Sequence, residues 1–285
     1  MTLQYSAFYD ENGSTPITSM GTGAPPITSG LLMAPGTYSY NAPSYTMTQP
    51  GLYRFAHPAM PGEPWSDCTN RIVVNGNTER LLSSLAYLVV HGERDEGLDL
   101  ATRLNRLRTG WVVCKCGKID EMVRSVLAGQ SIQSRTAQFL TMQEPTNYDD
   151  GHVATEVKIN GEWCLYDITL DRRFKTPGGQ ALSAKDAPAA IMSNAYTSEH
   201  ITASKTGYDP AWYNANAVWA SITFDRAAGE ATWTGRIFQA VGLTQGSEVW
   251  WKLPAGYESR ASWVESLQFN WKVKDAATWD ATFYP

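Results

Sequence analysis

Charged residues are scarce in this chain of 285 residues: Asp, Glu, Lys and Arg together make up 18% of it, against about 25% in a typical soluble domain. Acidic residues outnumber basic ones by 28 to 23, so the net charge is −5. A surface that binds nucleic acid or an anionic membrane needs an excess of Lys and Arg. The composition therefore argues against both kinds of partner.

Long apolar runs are also lacking. A bilayer-spanning helix needs about 18 or more consecutive apolar residues, and the sequence contains no such stretch. The N-terminus has neither the basic start nor the apolar core of a secretory signal. We therefore expect a soluble protein without a signal peptide, located in the cytoplasm or in a particle, such as a virion, that assembles there.

Cysteine is sparse, with four residues at positions 68, 114, 116 and 164. They are too few and too unevenly spaced for a disulfide framework, and a Cys-x-Cys pair is difficult to bridge within one strand or turn. We therefore expect free thiols. A zinc site formed by three of these cysteines and His152 suits the ligand chemistry, but Cys164 should face away from His152 on its strand, so we expect no metal and no cofactor.

Basic residues are absent from the first part of the chain until Arg54, and Gly, Pro, Ser, Thr and Tyr dominate residues 1–65. Such a segment buries too little apolar surface to offset its ordering entropy. We therefore interpret residues 1–65 as an extended arm without a core, held by partner subunits if it is ordered.

Three apolar stripes after residue 77 have helical spacing. The first begins after Asn77 and the second ends near Gly110. The third starts after Cys116 and ends at Gly129, a predicted C-terminal cap. The apolar members of the three stripes are Leu81, Leu82, Leu85, Leu88, Val89; Leu98, Leu100, Leu104, Leu107; and Ile119, Met122, Val123, Val126, Leu127.

The region after the third stripe is predicted to be β-structure. Residues 132–142 form one strand, 145–151 a loop, and 152–159 and 162–169 a hairpin, because Asn160-Gly161 is a strong signal for a two-residue turn. Eight of the eleven Trp lie between Trp212 and Trp279. We interpret residues 195–285 as a Trp-rich β region, either a separate tail domain or an extension of the sheet, that follows a core domain at 66–194.

The hairpin register brings a histidine and an acid together. If Ile159 pairs with Glu162, then His152 and Asp167 are diagonal neighbours on one face, roughly 7–8 Å apart at the backbone. An apolar set that includes Val157 and Tyr166 occupies the other face, as in a half-buried antiparallel sheet. The sequence therefore predicts a His–Asp pair that faces a cleft or a second layer.

Cys116 is the candidate nucleophile for this pair. A cysteine at a helix N-terminus has its thiolate stabilised by the unpaired backbone N–H groups and the helix dipole. We assign the attack on an acyl carbon to Cys116, proton transfer to His152, and orientation of the imidazole to Asp167. The backbone N–H of Cys116 would supply one oxyanion donor, and Trp111 is a candidate for a second.

These residues resemble the transglutaminase-like superfamily across about residues 70–175. Members share a cysteine at a helix start, an Ile-x-small-Arg strand, a His strand followed by Gly and Trp, and an Asp with Thr two residues later. The intervals of 19 from Cys116 to Arg135 and 15 from His152 to Asp167 match that pattern. The matching segments are Ile132-Gln133-Ser134-Arg135, His152-Val153-Ala154-Thr155-Glu156-Val157, Gly161, Trp163 and Asp167-Ile168-Thr169.

The resemblance implies an α+β fold with a papain-like core, in which helices pack on an antiparallel sheet, and a Cys-His-Asp catalytic triad. Implied activities are peptide or amide hydrolysis, deglycosylation and protein crosslinking, and some members have lost catalysis. Four positions depart from the family: Cys114 and Ala154 replace a usual Gly and Trp, Asp120 stands where the helix usually has a small residue, and Pro is absent between Asp167 and Thr169.

Other interpretations of single residues remain. Cys116 alone would be read as a small buried hydrophobe, and Cys114 is a competing nucleophile. Arg135 is interpreted as structural, and His57, His91 and His200 receive no role. The C-terminal Trp residues fit a core or an interface better than sugar stacking.

Two functions follow. The first is a cysteine-dependent acyl-transfer enzyme that acts on a protein or peptide through a Cys116 thioester, resolved by water or by an amine. The second is a structural or assembly protein, such as a virion or phage-tail component, in which the transglutaminase-like domain is an adaptor.

Overall fold

The computed structural model describes residues 7–10, 31–34, 36–39, 44–47, 50–56, 70–108, 112–143, 151–201 and 234–285. These residues form a mixed α+β fold, as the sequence predicted, and the chain divides into two compact units. Unit 1 contains Met1–Lys115 and His200–Ala220, and unit 2 contains Cys116–Glu199 and Ser221–Pro285. This division falls elsewhere than the predicted boundaries after residues 65 and 194.

The described residues of unit 1 form two helices and eight short strands. Its largest sheet has the order β1-β5-β6-β2, and β3–β4 and β7–β8 are separate two-stranded pairs. Asn77 caps the first helix by accepting a hydrogen bond from the backbone N–H of Arg80. The elements are β1 Ala7–Asp10, β2 Leu32–Met33, β3 Gly36–Ser39, β4 Ser44–Met47, β5 Gly51–Ala56, β6 Asn70–Val74, α1 Thr78–Leu88, β7 Val89–His91, α2 Leu100–Arg106 and β8 Val112–Cys114.

Two strands of residues 1–65, β2 and β5, pair with β6, whereas β1 pairs with β5 and β3 with β4 inside the segment. This differs from the arm without a core that the composition indicated. β5 pairs antiparallel with β6, and α1 packs on both strands. Leu52 is fully buried there. The segment has little apolar surface of its own, but α1 and β6 provide the surface against which it can be buried.

Unit 2 is built on one eight-stranded sheet of order β13-β12-β11-β10-β9-β14-β15-β16, in which only the β15–β16 pair is described as parallel. Its elements are α3 Cys116–Gly129, β9 Ser134–Leu140, β10 Gly151–Ile159, β11 Glu162–Asp167, β12 Arg172–Lys175, α4 Ala187–Met192, β13 Thr197–His200, β14 Ala240–Gln245, β15 Glu248–Lys252, a 3-10 turn Glu258–Arg260, α5 Ala261–Leu267, β16 Trp271–Val273 and α6 Ala276–Phe283.

The predicted hairpin is present with the predicted register. Ile159 pairs with Glu162 and Thr155 with Tyr166. Asn160 and Gly161 adopt positive φ angles of 53° and 91°, which Gly and Asn tolerate better than other residues. The turn sequence therefore fixes which side chains of β10 and β11 share a face, although β11 ends at residue 167 and not at 169.

Both faces of the hairpin are covered by other parts of unit 2. α3 packs on β9 and β10 over one face. The face that carries His152 and Asp167 belongs to a second apolar cluster: Ala137, Phe139, Ala154, Leu165, Phe174, Leu182, Ala184, Ala187, Ile191, Ile237, Phe238, Val241, Leu243, Trp279 and Phe283. Of the two predicted surroundings of this face, a cleft or another layer, the structure shows another layer.

The strands of the Trp-rich region extend the sheet. β14 pairs antiparallel with β9 through four residue pairs, and β15 and β16 follow outward. Trp251 and Trp279 are among the largest fully buried side chains, which agrees with the interpretation of these Trp as core residues. Within the described residues, no helix has both the length and the apolar composition to cross a membrane.

The Trp251 side chain on β15 lies so close to β14 that position 242 has no room for a side chain. A Cβ atom at Gly242 would lie 2.8 Å from the Trp251 ring. We expect Gly242→Ala to lower the free energy of unfolding by about 1–3 kcal/mol, because the core must shift to admit the methyl group. Urea denaturation checks this. Gly235→Ala is the matched control: its Cβ would meet nothing within 4 Å, so an equal loss in both variants would contradict the steric explanation.

Candidate active site

The candidate nucleophile Cys116 is the first residue of α3. This position follows from the sequence, because the apolar stripe that α3 buries against β9 and β10 starts one turn later. The first backbone N–H groups of a helix have no partner within it and carry partial positive charge. Cys116 is half-buried. Its thiol therefore combines a helix N-terminus with partial exposure, the environment in which a thiolate is stabilised and reachable.

His152 and Asp167 form the pair that the register predicts. The Nε2 atom of His152 lies 2.8 Å from an Oδ atom of Asp167. The other Oδ atom of Asp167 accepts a hydrogen bond from the backbone N–H of Leu170 at 3.0 Å. His152 is 5% exposed and Asp167 is fully buried. The Leu170 backbone N–H thus fixes the Asp167 carboxylate, and the carboxylate fixes the imidazole ring of His152.

The pKa of His152 is raised to about 10. Burial by itself acts to lower the pKa, because it disfavours the charged ring. The charge of Asp167 and its hydrogen bond outweigh burial, and a hydrogen bond and charge attraction from Cys116 act in the same direction. Asp167 occupies the Nε2 atom of the ring. The three predicted site residues therefore lie together in unit 2.

An aromatic cluster covers the imidazole. The ring centroids of His152 and Phe238 are 5.8 Å apart, and Phe238 also packs on Phe139 at 4.3 Å. Phe238 is fully buried. This cover limits rotation of the ring and lowers the local dielectric, which strengthens the His152–Asp167 interaction.

The other candidates occupy different places. Cys114 is fully buried on β8, so a substrate has no route to its sulfur at the surface. Cys164 is on β11, where alternation places it on the face opposite Asp167. Among the described residues, no group of three His, Cys, Asp or Glu side chains could hold a metal ion.

The remaining predicted residues fall into two groups. His91 is half-buried on β7, and His200 is exposed at the end of β13. His57, Cys68, Trp111 and the loop at 145–150 lie outside the described residues.

Arg135 has a structural environment, as its sequence context suggested. Its Nε donates to Glu156 at 2.7 Å, and one NH group donates to the carbonyl of Phe283 at 2.9 Å. The guanidinium lies 3.9 Å from the centre of the Trp163 ring. Glu156, fully buried, also accepts from the Tyr284 hydroxyl at 2.6 Å. This network ties the end of α6 to β9 and β10.

The sequence predicts no role for Glu156, and it marks Asp120 only as a departure from the family pattern. Both are buried acids, 0% and 4% exposed. The signal for Asp120 was present in the sequence: it is a charged residue inside the apolar stripe of α3, four positions after Cys116. A buried charge requires partners, but the sequence does not name them.

Comparisons of the chain with protein-family models, with curated proteins and with solved structures found no match.

Proposed function

We propose that the protein is a cysteine-dependent acyl-transfer enzyme with a transglutaminase-like, papain-like core. The observation that carries this proposal is the position of His152 between Cys116 and Asp167, with a pKa raised to about 10. At neutral pH such a histidine is protonated. Asp167 is one of its negatively charged partners, and the thiolate of Cys116 is the other. A thiolate–imidazolium pair is the reactive form of a cysteine nucleophile.

The chemistry is acyl transfer in two steps. In the first, the Cys116 sulfur attacks the carbonyl carbon of an amide in a protein or peptide; the C–N bond breaks, and the amine leaves with the proton of His152. In the second, water or an amine attacks the thioester carbon and gives a proton to His152; the C–S bond breaks, and Cys116 leaves as the thiolate, which restores the pair. Water yields hydrolysis and an amine yields a crosslink, and the residues of the site serve either acceptor.

Asp167 has a supporting role in both steps. It stays on Nε2 while Nδ1 gives and takes the proton, so the ring does not have to turn between steps. Cys116 is the first residue of α3, where backbone N–H groups carry partial positive charge, and its backbone N–H is assigned to the oxyanion of the tetrahedral intermediate.

Alkylation of Cys116 across pH tests the proposal. We expect iodoacetamide to label Cys116 quickly at pH 7 and at a nearly constant rate up to about pH 10, where His152 loses its proton. An ordinary thiol has a pKa of about 8.5, so its labelling rate rises about tenfold per pH unit below that value. Mass spectrometry of the peptide that contains Cys116 measures the rate.

His152→Ala is the matched variant for this measurement. It should return Cys116 to the profile of an ordinary thiol, because the counter-charge is removed. If wild-type Cys116 already shows that ordinary profile and His152→Ala leaves it unchanged, the enzyme proposal fails, and the adaptor function becomes the better account of the domain.

A further inference from the structure

A buried carboxylate connects the nucleophile's helix to the histidine's strand. Asp120 lies four residues after Cys116 on α3, and residues four apart share a helix face. Its side chain is 4% exposed. In a helix, a side chain points back toward the turn that precedes it. The Asp120 side chain therefore points toward the turn that contains Cys116.

Three donors satisfy this carboxylate. One oxygen accepts from the Thr155 hydroxyl at 2.8 Å. The other accepts from the Thr136 hydroxyl at 2.6 Å and from Nε of Arg124 at 2.9 Å. Arg124 belongs to α3 itself, four residues further on. The two threonines belong to the sheet, so the carboxylate joins the helix to both strands beneath it.

The two threonines are directly paired. Thr136 on β9 faces Thr155 on β10 in the antiparallel register. Their hydroxyls therefore stand side by side on the α3 face, and the two oxygens of one carboxylate span them. A shift of α3 along the sheet, or a rotation about its axis, would break at least one of these short hydrogen bonds. An apolar side chain at position 120 would allow such a slip at much lower cost, because dispersion contacts have little directional preference.

We propose that Asp120 is a positioning residue that sets the distance between Cys116 and His152. The inference depends on the proposed function, because it concerns the same thiolate–imidazolium pair. Thr155 is three residues from His152 on β10, and Asp120 is one helical turn from Cys116. The hydrogen bonds of Asp120 to Thr136 and Thr155, here called the clamp, therefore join α3, which carries Cys116, to β10, which carries His152. Catalytic groups must be held to within about 0.5 Å of their working geometry.

The test measures the ion pair directly, through the ultraviolet absorbance of the Cys116 thiolate at neutral pH and the rate of its alkylation. Asp120→Ala removes all three hydrogen bonds, and Thr155→Val removes one donor while keeping the side-chain shape. We expect labelling at pH 7 to fall about tenfold in Asp120→Ala, as the thiol returns toward an ordinary pKa, and less in Thr155→Val. Thr155→Ser keeps the hydroxyl and should restore the wild-type rate.

A control variant distinguishes an effect on the geometry of Cys116 and His152 from a general loss of stability. Val264→Ala removes a fully buried side chain of α5 from a different apolar cluster. It should lower the thermal midpoint without changing the thiolate signal. If Asp120→Ala does not fold, Thr155→Val and Thr155→Ser provide the comparison alone.

Two outcomes overturn different claims. Folded Asp120→Ala or Thr155→Val protein with the wild-type thiolate absorbance and labelling rate would show that the clamp only stabilises the fold. A wild-type protein without a thiolate signal that depends on His152 would overturn the proposed function itself.

Discussion

Cys116→Ala is expected to abolish acyl transfer. With p-nitrophenyl acetate as an activated acyl donor, wild-type protein should release a burst of p-nitrophenol equal to the number of active sites, as Cys116 becomes acylated. The variant should show no burst, and its steady-state rate should be lower by a factor on the order of 10⁶, the scale seen when the nucleophile of a catalytic triad is removed. Stopped-flow absorbance measures both quantities.

Cys114→Ala is the control for this experiment. Cys114 is the neighbouring thiol and is fully buried, so the burst should persist when it is replaced. A burst that survives in Cys116→Ala and disappears in Cys114→Ala would assign the nucleophile to the other cysteine and would refute the arrangement proposed above.

Glu156→Ala is expected to produce the largest loss of stability, about 3–5 kcal/mol, because it leaves the Arg135 charge without its partner in a mostly buried place. It also removes the acceptor for the Ala184 backbone N–H, now 2.7 Å away, and for the Tyr284 hydroxyl. Glu156→Gln preserves the size and one acceptor oxygen and should lose less. Urea denaturation followed by Trp fluorescence reports the difference.

Glu162 offers a matched comparison. It is an acidic residue at an exposed position of the neighbouring strand β11, and its substitution by Ala should change stability by about 0.5 kcal/mol or less. A loss in Glu156→Ala no greater than in Glu162→Ala would show that the Arg135 network contributes little to the fold.

The parts of the site that the sequence predicted depend on local rules. Asn160-Gly161 determines the turn, the turn determines the register, and the register brings His152 to Asp167. The apolar stripe after Cys116 places that residue at a helix start in the same way. Each step uses only residues near one another in the chain, so no knowledge of the tertiary fold was needed.

The parts that the sequence did not predict depend on contacts between distant segments. The partners of Glu156 include Tyr284, which is 128 residues away. Phe238, which covers His152, follows a long intervening stretch of chain. The pairing of β14 with β9 could not be chosen over a separate tail domain, because alternation within a strand shows which face is buried but not which strand lies beside it.

The place of β9 in the sheet also has a consequence for biosynthesis. One side of β9 pairs with β10, which follows soon after it, and the other side pairs with β14 at Ala240–Gln245. While the ribosome is still making the intervening chain, a nascent β9 would present an open row of backbone N–H and C=O groups, the kind of edge that recruits strands from other molecules. Closing so long a loop is also entropically slow. Docking of β14 is therefore expected late in folding, and recombinant yield should respond to chaperone supply and growth temperature more than the stability of the finished sheet would suggest.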